Sequence, residues 1–300
     1  MNNYSDNLVL SKNISTKPSI KVRKGRWFPA ALALPPLLWQ FMFFVLPMFF
    51  LLALTFWEVK SYKPVPAFVM DNWIRILGSS SFQKALAYTI QMSTLSSIIT
   101  IIIALPAACI LAFRINKKHQ PILIALLVVP VFTSYVLRTY AWQVVLSPQG
   151  LINWVFSHLG VTSIDMLGGA FALQIGYLTL CLPVVVLILT FSLLGVDRSQ
   201  LEAASNLGCR PHQVFWHVLL PSIRNGILLA VTTVFMLTFS DYIAPLLLSG
   251  SNPPTLSILI VDTIKSGAQW PRAAVIGIVM MLFIGLVLWL SQLLSSKEKR

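Results

Sequence analysis

The stretch EAASNLGCRPHQVFWHVLLP, Glu202 to Pro221, lies between two apolar runs long enough to cross a membrane. It is too long for a tight turn, too polar to face lipid, and patterned. Just upstream, Asp197 is suited to cap a helix, and Gln200 three residues later completes a capping-box pattern. Arg198 to Leu207 then reads as helix. Gly208 falls where the left-handed residue after a helix belongs, because glycine enters that conformation without a Cβ penalty. Pro211 suits the first turn of a second helix, which carries Val214, Phe215, Val218 and Leu219 on one face. Ala203 and Ala204 are small enough to let another surface approach closely, and Glu202 adds an acceptor at the edge of that patch. The pattern is a helix–glycine–helix at a membrane surface, joined directly to the runs on either side.

Outward from this stretch the composition is that of a membrane protein. Of 300 residues, 57% are hydrophobic and 10% charged, where soluble domains carry roughly a quarter charged. Six runs reach the roughly 20 apolar residues that a spanning helix needs: about Phe28–Trp57, Leu86–Phe113, Ile122–Leu146, Ala170–Leu194, Gly226–Leu248 and Ala273–Leu294. Such runs satisfy their own backbone hydrogen bonds as helices, and the alternation of a barrel is absent. The expected fold is an all-α integral membrane protein with six transmembrane helices. The net charge of +13 would suit nucleic acid, but the charges flank apolar runs and form no single basic face. The expected environment is therefore a lipid bilayer, with no nucleic acid partner.

The basic residues orient the chain. Lys12, Lys17, Lys21, Arg23, Lys24, Arg26, Arg114, Lys117, Lys118, Arg198, Arg210, Arg224, Lys297, Lys299 and Arg300 fall on one side. Fewer fall on the other: Lys60, Lys63, Arg75, Lys84, Arg138, Lys265 and Arg272. The positive-inside rule then places both termini and the Glu202–Pro221 stretch in the cytoplasm. The first run has the basic lead-in of a signal peptide but about twice the apolar length, so it reads as an uncleaved anchor. Cys109, Cys181 and Cys209 lack metal-ligand spacing and an obvious pairing, so neither a metal site nor a disulfide framework is expected.

The expected organisation is a basic, disordered tail over 1-26, an anchor helix over 27-57 and an outer loop over 58-85. A core of five further spans covers 86-294 and holds the cytoplasmic loop 195-222, and a short tail closes the chain at 295-300. Within Ser147–Gly169, Leu151 onward suggests a short interfacial helix with Trp154 in an aromatic belt. After a turn at Ser249–Pro254, the apolar run to Lys265 is short and bounded by Pro and Gly. It reads as re-entrant or interfacial, because a seventh span would put the terminal Lys-Glu-Lys-Arg outside.

Glu202-Ala203-Ala204, three residues, Gly208, nine residues, then Val218-Leu219-Leu220-Pro221 resembles the loop of ABC importer permeases. Their pattern is Glu-Ala-Ala, three, Gly, nine, Ile, one, Leu-Pro, so the single departure is Val218. The resemblance runs from about Leu86 to Leu294. It includes Pro130 to Ser134 with Val136 to Trp142, Gly150 to Asn153, Ser240-Asp241-Tyr242, Pro245 and Leu248 to Gly250. Within that family the chain looks most like the first permease of spermidine/putrescine-type importers. Leu105-Pro106 where Tyr-Pro is common, and Arg210 where a Ser or Thr cap is common, depart from that pattern.

The resemblance implies a type I ABC importer permease architecture in a bacterial inner membrane. Glu202, Ala203, Ala204, Gly208, Val218, Leu220 and Pro221 would then form the loop that couples to a separate ATPase. It implies two copies of that ATPase, a second permease (a heterodimer in polyamine systems), and a substrate-binding protein outside. The cargo implied is a polyamine; opine, thiamine or oxyanion permeases are related alternatives. The chain lacks G-x-x-x-x-G-K-[ST], so no cofactor is expected on it, and ATP would be used by the partner.

Charged residues inside spans are candidate path residues. Asp241, with Tyr242 and Trp142, would offer a carboxylate and aromatic faces to an ammonium near an outer gate. Arg138 is a candidate for the same path or gate, and the other reading has Asp241 and Arg138 pair with each other or snorkel to water. Gln91, Thr94, Ser97 and Thr100 recur every three residues and would either line a polar path or cement helix contacts. Pro47, Pro106, Pro130, Pro183 and Pro245 mark bends, for gating or for packing alone. An intramembrane enzyme finds no H-E-x-x-H or G-x-S-x-G here, and all four histidines lie in loops. An autonomous carrier would need an acidic or histidine relay at membrane depth, where the chain has Asp241 only.

Overall fold

A computed structural model describes residues 27–160, 162, 164–250 and 253–296. The expected tail 1-26, the terminal 297–300 with their basic residues, and Ser251-Asn252 of the expected turn lie outside the described residues. The chain divides between Phe50 and Leu51 into a small N-terminal unit and a large C-terminal one.

The N-terminal unit carries α1 (Trp27–Gln40), a π-helical turn at Phe41–Val45 and the start of α2 (Leu46–Leu54). Pro47 has no N–H to return to the preceding turn, and the wide turn sits directly before it, where Leu46 N–H reaches the Phe41 carbonyl. From Leu32 to Phe50 the side chains are almost all exposed, including Trp39 and Phe43.

The C-terminal unit opens with a feature the sequence reading did not anticipate. Strands β1 (Glu58–Lys60) and β2 (Lys63–Val65) pair antiparallel, with Glu58 opposite Val65. Ser61 and Tyr62 make the turn at φ of 51° and 64°, a mirror-image turn without the usual Asn-Gly. Behind the hairpin, α3 (Asp71–Leu77) contributes Asn72, whose amide donates to the Thr55 and Trp57 carbonyls at 2.9 and 2.8 Å. Those carbonyls lie just past the end of α2, where no helical donor follows.

Helices α4 (Ser80–Cys109, prolonged by a π-helical turn to Arg114), α8 (Ala170–Leu194) and α12 (Arg224–Ser240) pack against one another as the core. Their contact is built from small and branched residues: Ala104 and Ala108 against Cys181, Val185, Leu189, Ala230 and Val234. Small side chains let helix backbones approach where lipid supplies no hydrophobic drive. The three-residue polar stripe does not survive as a stripe. Gln91 and Thr94 are exposed, whereas Ser97 and Thr100 are buried. A spacing of three precesses around a helix of 3.6 residues per turn, so Thr100 comes out opposite Gln91. Ser97 instead donates to the Ser93 carbonyl at 2.8 Å.

Two expected spans are broken. Among the described residues, four stretches are long and apolar enough to cross a membrane, Leu32–Leu54, Ser80–Arg114, Ala170–Leu194 and Trp270–Ser295, and two bent pairs, Gln120–Phe132 with Tyr135–His158 and Pro211–Ser222 with Arg224–Ser240, bring the total to as many as six. The expected third span, Ile122–Leu146, is α5 (Gln120–Phe132) and α6 (Tyr135–Leu146), broken at Thr133–Ser134, and α5 lies at 84° to the Tyr135–His158 stretch that α6 opens. Thr133 ends α5 by returning both its N–H and its hydroxyl to the Pro130 carbonyl, a local bond that competes with the helix. The expected fifth span stops at Ser240 and resumes as α13 (Ile243–Leu248). The interfacial helix appears as α7 (Leu151–His158), and the short apolar run as α14 (Leu256–Lys265). At ten residues α14 reaches about 15 Å, half the hydrocarbon thickness. The last helix, α15, runs from Trp270 to Ser296.

Helix α8 meets α13 at Gly176, where an added Cβ would lie 2.9 Å from the Ala244 Cβ and 2.7 Å from Leu248 Cδ1. Gly176→Ala should therefore lower the thermal unfolding midpoint in detergent, with a loss of about 1–3 kcal/mol from overpacking. Gly285→Ala on α15, where nothing lies within 4 Å of the added carbon, is the matched control. Equal midpoints for the two variants would refute the close approach.

Candidate functional site

The loop between α8 and α12 forms as two helices hinged at glycine. Asp197 caps α9 (Arg198–Asn206). Its partner is Ser199 and not Gln200: Oδ1 accepts the Ser199 N–H at 3.0 Å and Oδ2 accepts its hydroxyl at 2.8 Å. The expected capping box is thus replaced by a tighter cap one residue earlier. The Ser199 N–H, then its hydroxyl, hold this exposed carboxyl below its ordinary range. Leu207 ends the helix, and Gly208 turns left-handed at φ +85°. Cys209 N–H reaches the Ala204 carbonyl and Gly208 N–H the Ser205 carbonyl. These two bonds are the paired closure of a Schellman turn.

The second helix is α10 (Pro211–Val214), a π-helical turn at Phe215–Leu219, and α11 (Leu220–Ser222). Arg210 cannot cap it as Ser or Thr would, because a guanidinium does not accept. Gln213 closes the end from inside: its Oε1 takes the Arg210 N–H at 2.8 Å. This helix meets α12 at 70°. Leu219 and Ile223 are buried in the core cluster, and Leu201 and Phe215 pack against it. The loop is therefore rooted in α4, α8 and α12.

Glu202, Ala203, Gly208 and Pro221 are exposed, and Ala204, Val218 and Leu220 are half-buried. Two apolar side chains outside the spaced pattern are exposed beside them: Leu207 is 85% exposed and Trp216, edge-on to Phe215, 61%. Sequence reasoning passed over both. Their signal was available, since neither lies on the Val214–Phe215–Val218–Leu219 face.

The second constellation gathers around the two breaks. The carboxylate of Asp241, half-buried, accepts the Tyr135 hydroxyl on Oδ2 at 2.8 Å. It also accepts the N–H of Ala244 on Oδ2 at 3.0 Å and of Ile243 on Oδ1 at 3.2 Å, so it starts α13. Pairing with Arg138 is not formed. Arg138 Nη1 donates instead to the Thr179 carbonyl at 2.9 Å. The reason lies four residues on: Pro183 has no N–H, so α8 leaves the Thr179 carbonyl without its helical donor. The in-span cation thus repairs a gap that an in-span proline opens. Trp142 packs against the cluster of Leu146, Leu173, Tyr177 and Ala244. Tyr242 lies in the break beside Asp241, half-buried. Of the four candidate gate residues, Arg138 and Asp241 are engaged with different helices. Tyr135, 106 residues from Asp241 in sequence, was not foreseen.

Among the described residues no group of three or more His, Cys, Asp or Glu is placed to hold a metal.

No family model matches the chain. Curated relatives do. The spermidine/putrescine transport system permease protein PotB of Escherichia coli K12 is 27% identical over 266 residues, 87% of this chain and 96% of that one. The PotB of Salmonella typhimurium SL1344 is likewise 27% identical, covering 87% and 92%. The inner membrane ABC transporter permease protein YdcU of E. coli K12 is 28% identical over 238 residues, 74% and 75% of the two chains. Among solved structures, a chain of a bacterial alginate ABC transporter in complex with an alginate-bound periplasmic protein superposes at TM-score 0.75 with 18% identity, covering 91% and 96%. A chain of the MetNI methionine ABC transporter superposes at 0.55 with 17% identity, covering 74% and 100%. In sequence over most of its length this chain is similar to the transport-system permease proteins PotB and YdcU, and in fold to chains of solved ABC transporters.

Proposed function

We propose that the chain is the membrane-spanning permease of an ATP-driven, binding-protein-dependent importer, multi-pass in a bacterial inner membrane, with polyamines as cargo. The observation that carries this reading is the Arg198–Ser222 loop. A glycine-hinged helix pair exposes Leu207, Trp216, Glu202 and Ala203, and is rooted through Leu219 and Ile223 in the spans. Such a device transmits movement from a docked partner into the core. The excess of basic residues on the side of this loop supports a cytoplasmic position for it and for both termini. The docked partner is a separate ATPase, in two copies, which binds and hydrolyses the ATP. A second permease completes a heterodimer, and a binding protein delivers cargo on the opposite face.

The PotB relatives carry the choice of polyamine. A broader cargo range has its own support: a trehalose/maltose permease of Thermococcus litoralis is 25% identical over 84% of this chain. Opines, thiamine or oxyanions remain the alternative cargoes.

Affinity purification of the tagged chain from native membranes, followed by mass spectrometry, tests the assembly. An ABC-type ATPase and a second multi-span permease should come with it at comparable abundance. Recovery of the chain alone in mild detergent, with transport by the purified chain in the absence of ATP, would replace the importer subunit with an autonomous carrier.

A further inference from the structure

Two apolar segments of this chain are interrupted, and a single hydrogen bond joins the interruptions. Tyr135 is the first residue of α6, directly after the break at Thr133–Ser134. Asp241 directly follows α12 and lies inside the other break, two residues before α13. The hydroxyl of the first donates to Oδ2 of the second at 2.8 Å. Helices α6 and α13 pack against each other. Tyr135 packs against a cluster in which Tyr177 and Ala244 are fully buried. Both residues of the pair are half-buried.

Helix capping accounts for only part of this arrangement. The Ile243 N–H on Oδ1 and the Ala244 N–H on Oδ2 are what an N-cap needs. The Tyr135 hydroxyl adds a third donor from another segment to the same carboxylate. A neutral O–H on a carboxylate is an exchangeable partner, because a cationic N–H donor adds full charge to the same geometry. A ligand that binds the separated state better than the joined one opens it by population shift.

We propose that the Tyr135–Asp241 hydrogen bond is a latch holding the two broken spans together, and that an ammonium group of the cargo opens it by taking the place of the Tyr135 hydroxyl on Asp241. The proposal rests on the transporter reading above. Tyr135 acts here as a positioning residue: it orients Asp241 and holds the joined state in the absence of cargo.

The test uses the complete importer, this chain with its second permease, ATPase and binding protein, reconstituted in proteoliposomes with radiolabelled spermidine as probe. Tyr135→Phe removes one oxygen and keeps the ring. It should raise ATP hydrolysis without spermidine by about two- to tenfold, the range that one hydrogen bond covers, with uptake per ATP reduced in proportion. Asp241→Asn keeps an acceptor for the helix cap and loses the charge. It should raise the KM for spermidine about tenfold or more, and it should also raise spermidine-free hydrolysis, because the oxygen that accepts the Tyr135 hydroxyl is altered with it. A merely structural role would raise the KM in Tyr135→Phe as it does in Asp241→Asn, whereas the latch leaves the KM of Tyr135→Phe at or below that of wild type.

Wild-type basal hydrolysis and wild-type KM in Tyr135→Phe would overturn the latch while leaving the transporter reading in place. If Tyr135→Phe does not assemble, the Asp241→Asn arm decides alone, since an unchanged KM there removes the ammonium from Asp241. A wild-type complex that hydrolyses ATP but takes up no spermidine would overturn the polyamine reading, and the latch with it.

Discussion

Gly208→Val should abolish ATP-driven uptake while leaving the chain inserted and folded. The turn at Gly208 sits at φ +85° with nothing within 4 Å of where a Cβ would stand. The effect is therefore one of backbone conformation and not of collision. Left-handed backbone costs about 1–2 kcal/mol for residues with a Cβ, and β-branching raises it further. Relaxing the turn breaks the closure by Cys209 and Gly208 on the Ala204 and Ser205 carbonyls. Helix α9 and the Pro211–Ser222 helix then lose their fixed angle, and Leu207 and Trp216 lose theirs with it. Uptake should fall by about tenfold or more, since a docking lever with a loose hinge transmits little. Co-purification of the ATPase should fall in parallel. Gly208→Asn is the discriminating partner, because Asn enters the left-handed region with local hydrogen-bond support and should retain most of the uptake. Wild-type uptake in Gly208→Val would remove the lever from the mechanism.

Arg138→Met should destabilise the chain, and Pro183→Ala should repair it. Without the guanidinium, the Thr179 carbonyl is left with neither its helical donor nor a substitute. An unsatisfied buried acceptor costs about 1–3 kcal/mol. Restoring an N–H at position 183 lets α8 close that bond itself, so the double variant should regain most of the lost stability. The two effects are then strongly non-additive. Thermal unfolding in detergent reads the cycle, with uptake measured alongside. If Arg138 instead touches cargo, Pro183→Ala will not rescue Arg138→Met uptake, whatever it does to stability.

These two sites differ in how far they could be read in advance. Everything at the loop is local. Asp197, Gly208 and Pro211 announce a helix, a left-handed turn and a second helix, and each acts within a few residues of itself. Even the corrections there are local ones: Ser199 in place of Gln200, and Gln213 making good what Arg210 lacks. At the breaks the outcome was different. The hydropathy of Ile122–Leu146 and Gly226–Leu248 reads as continuous, because apolarity reports on burial and not on direction. A run stays apolar through an 84° bend.

The hairpin at Glu58–Val65 and the splitting of the Gln91–Thr100 stripe belong to the second kind. The first turns on two residues at positive φ without glycine, held by strand pairing. The second depends on which face of α4 meets α8 and α12.

By itself, then, the sequence determined the membrane class, the apolar segments and the glycine-hinged loop, because those follow from composition and from interactions within one or two helical turns. Only the tertiary structure decided what Asp241 and Arg138 do. Tyr135 reaches Asp241 across 106 residues of chain, and Arg138 answers a carbonyl orphaned by a proline on a different helix. A charged group in an apolar segment must find a partner, but which partner is settled by the packing that brings distant backbone within three ångströms.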